Sequence, residues 1–340
     1  MTTNALHALL YGLRTSGIQF THACLINSVF DLSLSDIFTP SNADVVSPYA
    51  HQLEYFKAHH FDCRPTIEDH RHYDLFVIFP SKQRDHALYD IASVLNYAAE
   101  GDKIALCAAN DAGGGRLASI LEAFGIEPKY SYAKNRCKIL IAEKTASLKK
   151  EAVSYCISQG GYQRNNAEYH SKPGVYGWNK IDVGSALLSE TLPTTLLGKG
   201  ADFGCGYGYL TDQVFTKSPD VEHMACMDSD YFALEACRRN IDERHKTRKY
   251  AVAWTDLRKA SPAQQLNFIV MNPPFHDGKE TDNTLAKDMM TTAHAALGQY
   301  GELYMVANTH LPYEAILNEL FFKVDVLAQE KGFKIFKALK

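Results

Sequence analysis

The chain has 340 residues, a formal net charge of −4, and 46% hydrophobic against 22% charged residues. That length favours two domains over one, and the acidic balance excludes a general polyanion binder, so any nucleic-acid contact must come from local patches. No apolar run approaches the ~20 residues that span a bilayer, and no basic stretch leads into an apolar core after Met1-Thr2-Thr3-Asn4.

The eight cysteines are scattered without a Cys-x-x-Cys pair, which argues against zinc or a disulfide frame. No metal site is expected, and the thiols fit a reducing, cytoplasmic setting. Residues 1 to about 60 carry no motif that names itself. From Tyr73 the pattern sharpens. Asp74 to Phe79 reads as a strand stopped by Pro80, and Ala87, Ile91, Val94, Leu95 and Ala98 recur at helical spacing over 83–99. Lys103 to Ala108 is a second strand. Asn110-Asp111-Ala112-Gly113-Gly114-Gly115 follows, then a helix through Phe124 and a strand over Cys137 to Ala142. The glycine triplet can cradle a phosphate, but without a downstream acid a flexible turn is the simpler reading. Alternating strands and helices predict a parallel sheet.

Residues 143–172 change character, with Gly160-Gly161 and the polar Gln163-Arg164-Asn165-Asn166, and read as a linker after a short helix. Tyr176 and Trp178 then either cap a ligand or pack on the sheet. Asp202-Phe203-Gly204-Cys205-Gly206-Tyr207-Gly208 is a strand end running into a helix, with glycines that allow close approach of backbone to ligand. A dinucleotide fingerprint wants glycine where Tyr209 stands, so a nicotinamide dehydrogenase is disfavoured. Twenty-six residues after Asp202, the strand Met224 to Met227 ends in Asp228, placed to take the hydroxyls of a ribose, with Asp230 as the neighbouring possibility. Arg238, Arg239, Arg244, Lys246, Arg248 and Lys249 form either an RNA patch or a solvated helix face. The strand Tyr250 to Trp254 leads to Asp256, either an adenine acceptor or a helix cap.

The apolar strand Leu266 to Met271 ends in Asn272-Pro273-Pro274-Phe275. Two prolines break the strand sharply. They leave an amide oxygen on Asn272, a backbone carbonyl on Pro273 and an aromatic face on Phe275, where open α/β sheets bind ligands. Two acceptors beside a stacking plane suit a planar group that carries an NH2, such as a nucleobase. A helix over 284–297, a strand from Gly301 to Ala307, a helix opened by His310-Leu311-Pro312-Tyr313, and closing strands over 322–328 and 333–339 complete the chain. The last strand is expected to be antiparallel, because only a short turn at Gly332 precedes it.

These residues resemble the class I S-adenosylmethionine-dependent methyltransferases, and more narrowly the small-subunit ribosomal RNA guanine-N2 methyltransferases. The resemblance rests on Pro173-Gly174-Val175-Tyr176, Asp182-Val183-Gly184-Ser185, Asp202 to Gly208, Asp228, Asn272-Pro273-Pro274-Phe275-His276-Asp277-Gly278, Gly301 to Asn308 and Leu311-Pro312-Tyr313. It implies an α/β fold of two tandem Rossmann-like methyltransferase domains. The first, 1–150, is degenerate and helps hold RNA. The second, 165–340, is catalytic, with a seven-stranded, mostly parallel sheet whose last strand is antiparallel.

S-adenosylmethionine is the implied cofactor, held by Asp202, Gly204, Gly206, Gly208, Asp228 and Asp256. Asn272, Pro273 and Phe275 would present the N2 amine of a guanine in 16S ribosomal RNA, in a 30S particle, with the protein a monomer. Thr281-Asp282-Asn283 also resembles the large-subunit enzymes, which keeps 23S RNA as an alternative. Adenine-N6 and glutamine-N5 methylation share Asn-Pro-Pro-aromatic, and an RNA-binding chaperone is the reading without catalysis.

Overall fold

The structure, a computed structural model, describes residues 3–67, 71–259, 265–274 and 280–340. The chain divides into two compact units, Met1–Tyr162 and Gln163–Lys340. The first runs α1 (Thr3–Ser16), β1 (Ala23–Ile26), β2 (Ala43–Val46), α2 (Ala50–Ala58), β3 (Asp62–Arg64), β4 (Leu75–Ile78), α3 (Arg84–Tyr97), β5 (Lys103–Ala109), α4 (Leu117–Ala123), β6 (Pro128–Lys134), β7 (Cys137–Glu143) and α5 (Lys150–Gly160). The second opens with a short ribbon, β8 (Gln163–Arg164) and β9 (His170–Ser171). It continues through α6 (Val183–Thr191), β10 (Gly198–Phe203), α7 (Tyr209–Lys217), β11 (Val221–Asp228), α8 (Tyr231–Arg244), β12 (Tyr250–Trp254), β13 (Leu266–Met271), α9 (Glu280–Ala296), β14 (Leu297–Asn308), α10 (Tyr313–Leu320), β15 (Lys323–Glu330) and β16 (Phe333–Leu339).

The two main sheets share one strand order. In the first unit it is β3-β2-β1-β4-β5-β7-β6, and in the second β12-β11-β10-β13-β14-β16-β15. In both sheets the final strand slips in antiparallel beside the fifth. The predicted tandem α/β architecture and the antiparallel last strand are therefore what the chain forms.

In the second unit the alternation of β13 places Phe268 and Val270 in one core and Ile269 and Met271 in another. Leu187, Leu188, Leu210, Val214, Leu234 and Ile241, from α6, α7 and α8, cover the first face. Met289, Met290 and Ala293 of α9, with Tyr313 and Leu317 of α10, cover the second. A strand buried on both sides explains why its sequence is almost wholly apolar. Each buried side chain of that size stabilises by roughly 1.5–3 kcal/mol.

One feature differs from expectation. The stretch expected to be a linker after a short helix contains that helix, α5, as part of the first unit: a Cβ added at Gly160 would lie 2.5 Å from Cβ of Tyr89 on α3, so only glycine allows this packing. The glycine triplet forms a closely packed turn. Gly113 takes φ 96°, and Gly114 is pressed so close to the Ala108 carbonyl that a Cβ there would sit 2.6 Å from its oxygen.

Candidate active site

Strand order reverses between β10 and β13, which makes their carboxyl ends the ligand crevice of the sheet. Phe203 pairs with Met271, so Gly204 and Asn272 leave the sheet as neighbours. Gly204, Gly206 and Gly208 take φ values of 75°, 55° and 89°, a region in which glycine alone is unstrained. They differ in surroundings. A Cβ on Gly206 would meet nothing within 4 Å among the described residues, whereas one on Gly208 would meet Sγ of Cys237 at 2.8 Å. Gly206 therefore has an open side for a ligand, and Gly208 seats α7 against α8.

Three acids stand around this loop. Asp202 is fully enclosed, and its Oδ2 accepts from Thr211 N at 3.1 Å and Thr211 Oγ1 at 2.8 Å. Its Oδ1 is buried and has no hydrogen-bond partner among the described residues. Burial pushes its carboxyl up to about 7, against the hydrogen bonds from Thr211. Asp228 accepts from Gly206 N at 2.8 Å and from Asp230 N at 2.9 Å, and burial raises its pKa as well. Asp230 caps α8 by accepting from Phe232 N at 2.9 Å. Asp228 thus touches the glycine loop itself, while Asp230 serves its helix.

Asp256 sits just past β12, but its two oxygens are grasped by Arg258: Nε lies 2.8 and 3.0 Å away and Nη2 2.6 Å. It also caps the following turn through Arg258 N at 3.0 Å. The alternative of a capping acid is what the geometry favours there, and adenine acceptance would require Arg258 to yield.

Asn272 donates Nδ2 to Asp182 Oδ2 at 3.0 Å and to Ser185 Oγ at 2.7 Å. Asp182 caps α6 by accepting from Ser185 N at 2.9 Å, and accepts from Tyr176 Oη at 3.0 Å. The same segment reaches the glycine loop, where Tyr207 Oη donates to the Lys180 carbonyl at 3.3 Å. Among the described residues, no donor reaches Asn272 Oδ1 or the Pro273 carbonyl. Phe275, with His276, Asp277 and Gly278, lies outside the described residues.

Asp182 and Ser185 were quoted in the sequence only as carriers of the resemblance, and their contacts with Asn272 were not foreseen. Tyr176 stays 59% exposed, so it does not pack on the sheet. Three residues of the expected basic patch meet groups of the second unit. Arg238 pairs with Glu235 at 3.4 Å, Arg244 lies over the Tyr169 ring at 4.1 Å, and Arg248 donates to the carbonyls of Pro219 and Ser218 at 2.8 and 2.9 Å.

The first unit keeps the geometry and lacks the chemistry. Ile26 pairs with Ile78 as Phe203 pairs with Met271, so Asn27 stands at the position of Gly204 and Phe79 at that of Asn272. Asn27 even retains a left-handed φ of 56° and the same bond to the next strand, Asn27 N to Val46 O at 2.9 Å against Gly204 N to Met227 O at 2.8 Å. Phe79 is buried and apolar, and Ser47 replaces Asp228.

The residues of the second unit fit S-adenosylmethionine. A buried carboxylate oxygen without a partner calls for a positive group such as an ammonium. Asp228 retains lone pairs for hydroxyls, and Gly206 leaves an open side.

Residues 166–337 match the family model described as methyltransferase small domain, and residues 19–159 the model described as methyltransferase small domain N-terminal. A protein of Acinetobacter baylyi named ribosomal RNA small subunit methyltransferase C is 31% identical over 273 residues, covering 78% of each chain. A Vibrio vulnificus protein of that name is 28% identical over 329 residues, 93% of this chain and 92% of the relative. The T. thermophilus 16S rRNA N2 methyltransferase (RsmC), solved in complex with AdoMet and guanosine, superposes with a TM-score of 0.77 at 19% identity, covering 98% of this chain and 91% of that one. That match shows the shared fold.

Proposed function

Because the chain belongs to the ribosomal RNA small subunit methyltransferase C family, we propose that it transfers a methyl group from S-adenosylmethionine to the exocyclic N2 amine of a guanine in 16S ribosomal RNA. One observation carries the reading: at the break after β13, two acceptors that meet no donor among the described residues, Asn272 Oδ1 and the Pro273 carbonyl, stand beside a loop of three left-handed glycines.

S-adenosylmethionine supplies, when bound, a methyl group on a positively charged sulfur. Gly204, Gly206 and Gly208 would line its methionine part. Asp228 would take the ribose hydroxyls, and Asp202 would stabilise a cation over the loop. Asp256 would reach an adenine amine only with Arg258 displaced.

The N2 amine of guanine is a poor nucleophile, because its lone pair is drawn into the ring. Asn272 Oδ1 and the Pro273 carbonyl accept its two N–H bonds, localise the lone pair and aim it. Phe275 stacks on the base. The acceleration comes from alignment in a site closed to water. No general base is needed before transfer, since the proton leaves the charged product to solvent afterwards. The guanine must be unstacked to enter.

The first unit takes the RNA-holding role in this reading. From Pro128 to Ala142 the chain carries Lys129, Lys134, Arg136 and Lys138 and no acid. Tyr130 and Tyr132 present parallel rings 6.3 Å apart, and Lys134 lies over Tyr11 at 4.0 Å. Cations interleaved with aromatic faces suit a nucleic-acid backbone and its bases. No helix among the described residues is long and apolar enough to cross a membrane. The protein acts as a monomer in the cytoplasm, on RNA in an assembled or assembling 30S subunit.

The test is transfer of tritiated methyl from S-adenosylmethionine to 30S particles, 50S particles and free 16S RNA from cells lacking the protein. Label in 16S RNA, recovered as N2-methylguanosine, is expected. Label in 23S RNA would move the substrate to the large subunit, and binding without transfer would favour a chaperone.

A further inference from the structure

We propose that Asp182 and Ser185 are positioning residues that lock the amide of Asn272 with its oxygen toward the reacting base. The inference rests on the guanine-N2 reading above. The two faces of an asparagine amide differ little in shape and oppositely in chemistry: one accepts, the other donates two hydrogens. Turned the wrong way, Asn272 would set its NH2 against the NH2 of guanine, and no lone pair would be localised.

The structure removes that choice. Both hydrogens of Asn272 Nδ2 are taken, by Asp182 Oδ2 at 3.0 Å and Ser185 Oγ at 2.7 Å. A half-turn of the amide would bring Oδ1 against a carboxylate, lone pair on lone pair. Asp182 is itself tied at both oxygens, Oδ2 to Ser185 N at 2.9 Å and Oδ1 to Tyr176 Oη at 3.0 Å. The lock therefore comes from a segment about 90 residues upstream, which also contacts the glycine loop through the Lys180 carbonyl. Asp182 has a structural duty as the cap of α6. The Ser185 hydroxyl has none there, since the cap uses its backbone N–H. Ser185 thus separates positioning from folding.

The experiment uses full-length protein and single-turnover transfer to 16S RNA at saturating S-adenosylmethionine. Ser185→Ala should lower the rate about tenfold, the worth of one well-placed hydrogen bond. The melting temperature, the KM for RNA and the affinity for S-adenosylmethionine should hold within about twofold. Ser185→Thr, which restores a hydroxyl, should recover most of the rate. Asp182→Asn keeps an oxygen for both the cap and Asn272 and should retain more activity than Asp182→Ala.

In an Asn272→Ala background, Ser185→Ala should cause no further loss, because the group it positions is gone. A wild-type rate for Ser185→Ala, or an equal fold-loss in both backgrounds, overturns the lock. If the wild-type protein binds S-adenosylmethionine and never methylates guanine N2, it is the underlying reading that fails.

Discussion

Replacing Asp202 by asparagine should flatten the dependence of stability on pH and weaken cofactor binding. Asp202 is fully enclosed, and its carboxyl is raised from 3.8 to about 7, mainly by burial. A raised carboxyl means that the folded chain holds this proton more tightly than the unfolded chain does. The folded state is thus unpenalised below pH 3.8 and loses stability as pH climbs through the unfolded value toward 7. Between pH 5.5 and pH 8 the loss amounts to about 2 kcal/mol.

Asparagine at 202 keeps an oxygen for Thr211 and carries no charge, so the variant should lack this slope. Its NH2 would inherit the place of the partnerless Oδ1, at a constant cost of about 1–3 kcal/mol. The pH slope, and not the absolute stability, is therefore what reads Asp202. Asp230 is also raised to about 7, but it is present in both proteins and cancels in the comparison.

The assay is urea denaturation of both full-length proteins without cofactor, at pH 5.5 and pH 8. The variant should gain about 2 kcal/mol on wild type between the two conditions. Its dissociation constant for S-adenosylmethionine at pH 8 should rise about tenfold, as the charge that faces the cation is lost. Parallel pH profiles would refute the idea that a buried, strained carboxylate waits at the loop.

Gly206→Ala and Gly208→Ala should separate binding from folding. Gly208 is packed on Cys237 at φ 89°, so alanine there should cost about 1–3 kcal/mol, or roughly 2–9 °C in melting temperature. At Gly206, φ 55°, alanine carries the same left-handed strain of about 1–2 kcal/mol without the clash, so stability should fall less than at Gly208 while S-adenosylmethionine affinity falls more, read by calorimetry and thermal melts side by side. Lys134→Glu with Arg136→Glu should raise the KM for 16S RNA several-fold and reduce its salt dependence, with cofactor affinity unchanged. An unchanged KM would remove the first unit's hairpin from the RNA path.

The sequence carried the centre of the second unit well, because β10 and β13 are largely buried on both faces and β10, β11 and β13 each lead to a punctuating residue: Gly204, Asp228, Asn272. The first sixty residues stayed opaque. Ala23–Ile26 and Ala43–Val46 are only four residues each, too short for a periodicity to register. Pro128–Lys134 alternates half-buried and exposed positions at a sheet edge and opens on proline, which reads as a loop. The helix Lys150–Gly160 was expected only as a short helix before a linker; its polar surface, with only Val153 and Gly160 buried, hid that it belongs to the first unit. Within the site, local motifs showed which residues stand at strand ends, and not what holds them. The Asp182 and Ser185 contacts to Asn272 span 90 and 87 residues, and the Arg258 grip on Asp256 depends on a rotamer. Neither leaves a local pattern.

The most direct measurement is the single-turnover rate of Asn272→Ala on 16S RNA, taken together with its affinity for S-adenosylmethionine. The rate should fall by about two to four orders of magnitude, the loss of a preorganised acceptor at the reacting amine, while cofactor affinity stays within about threefold. Near-wild-type formation of N2-methylguanosine by this variant would contradict the claim that the broken end of β13 presents the base.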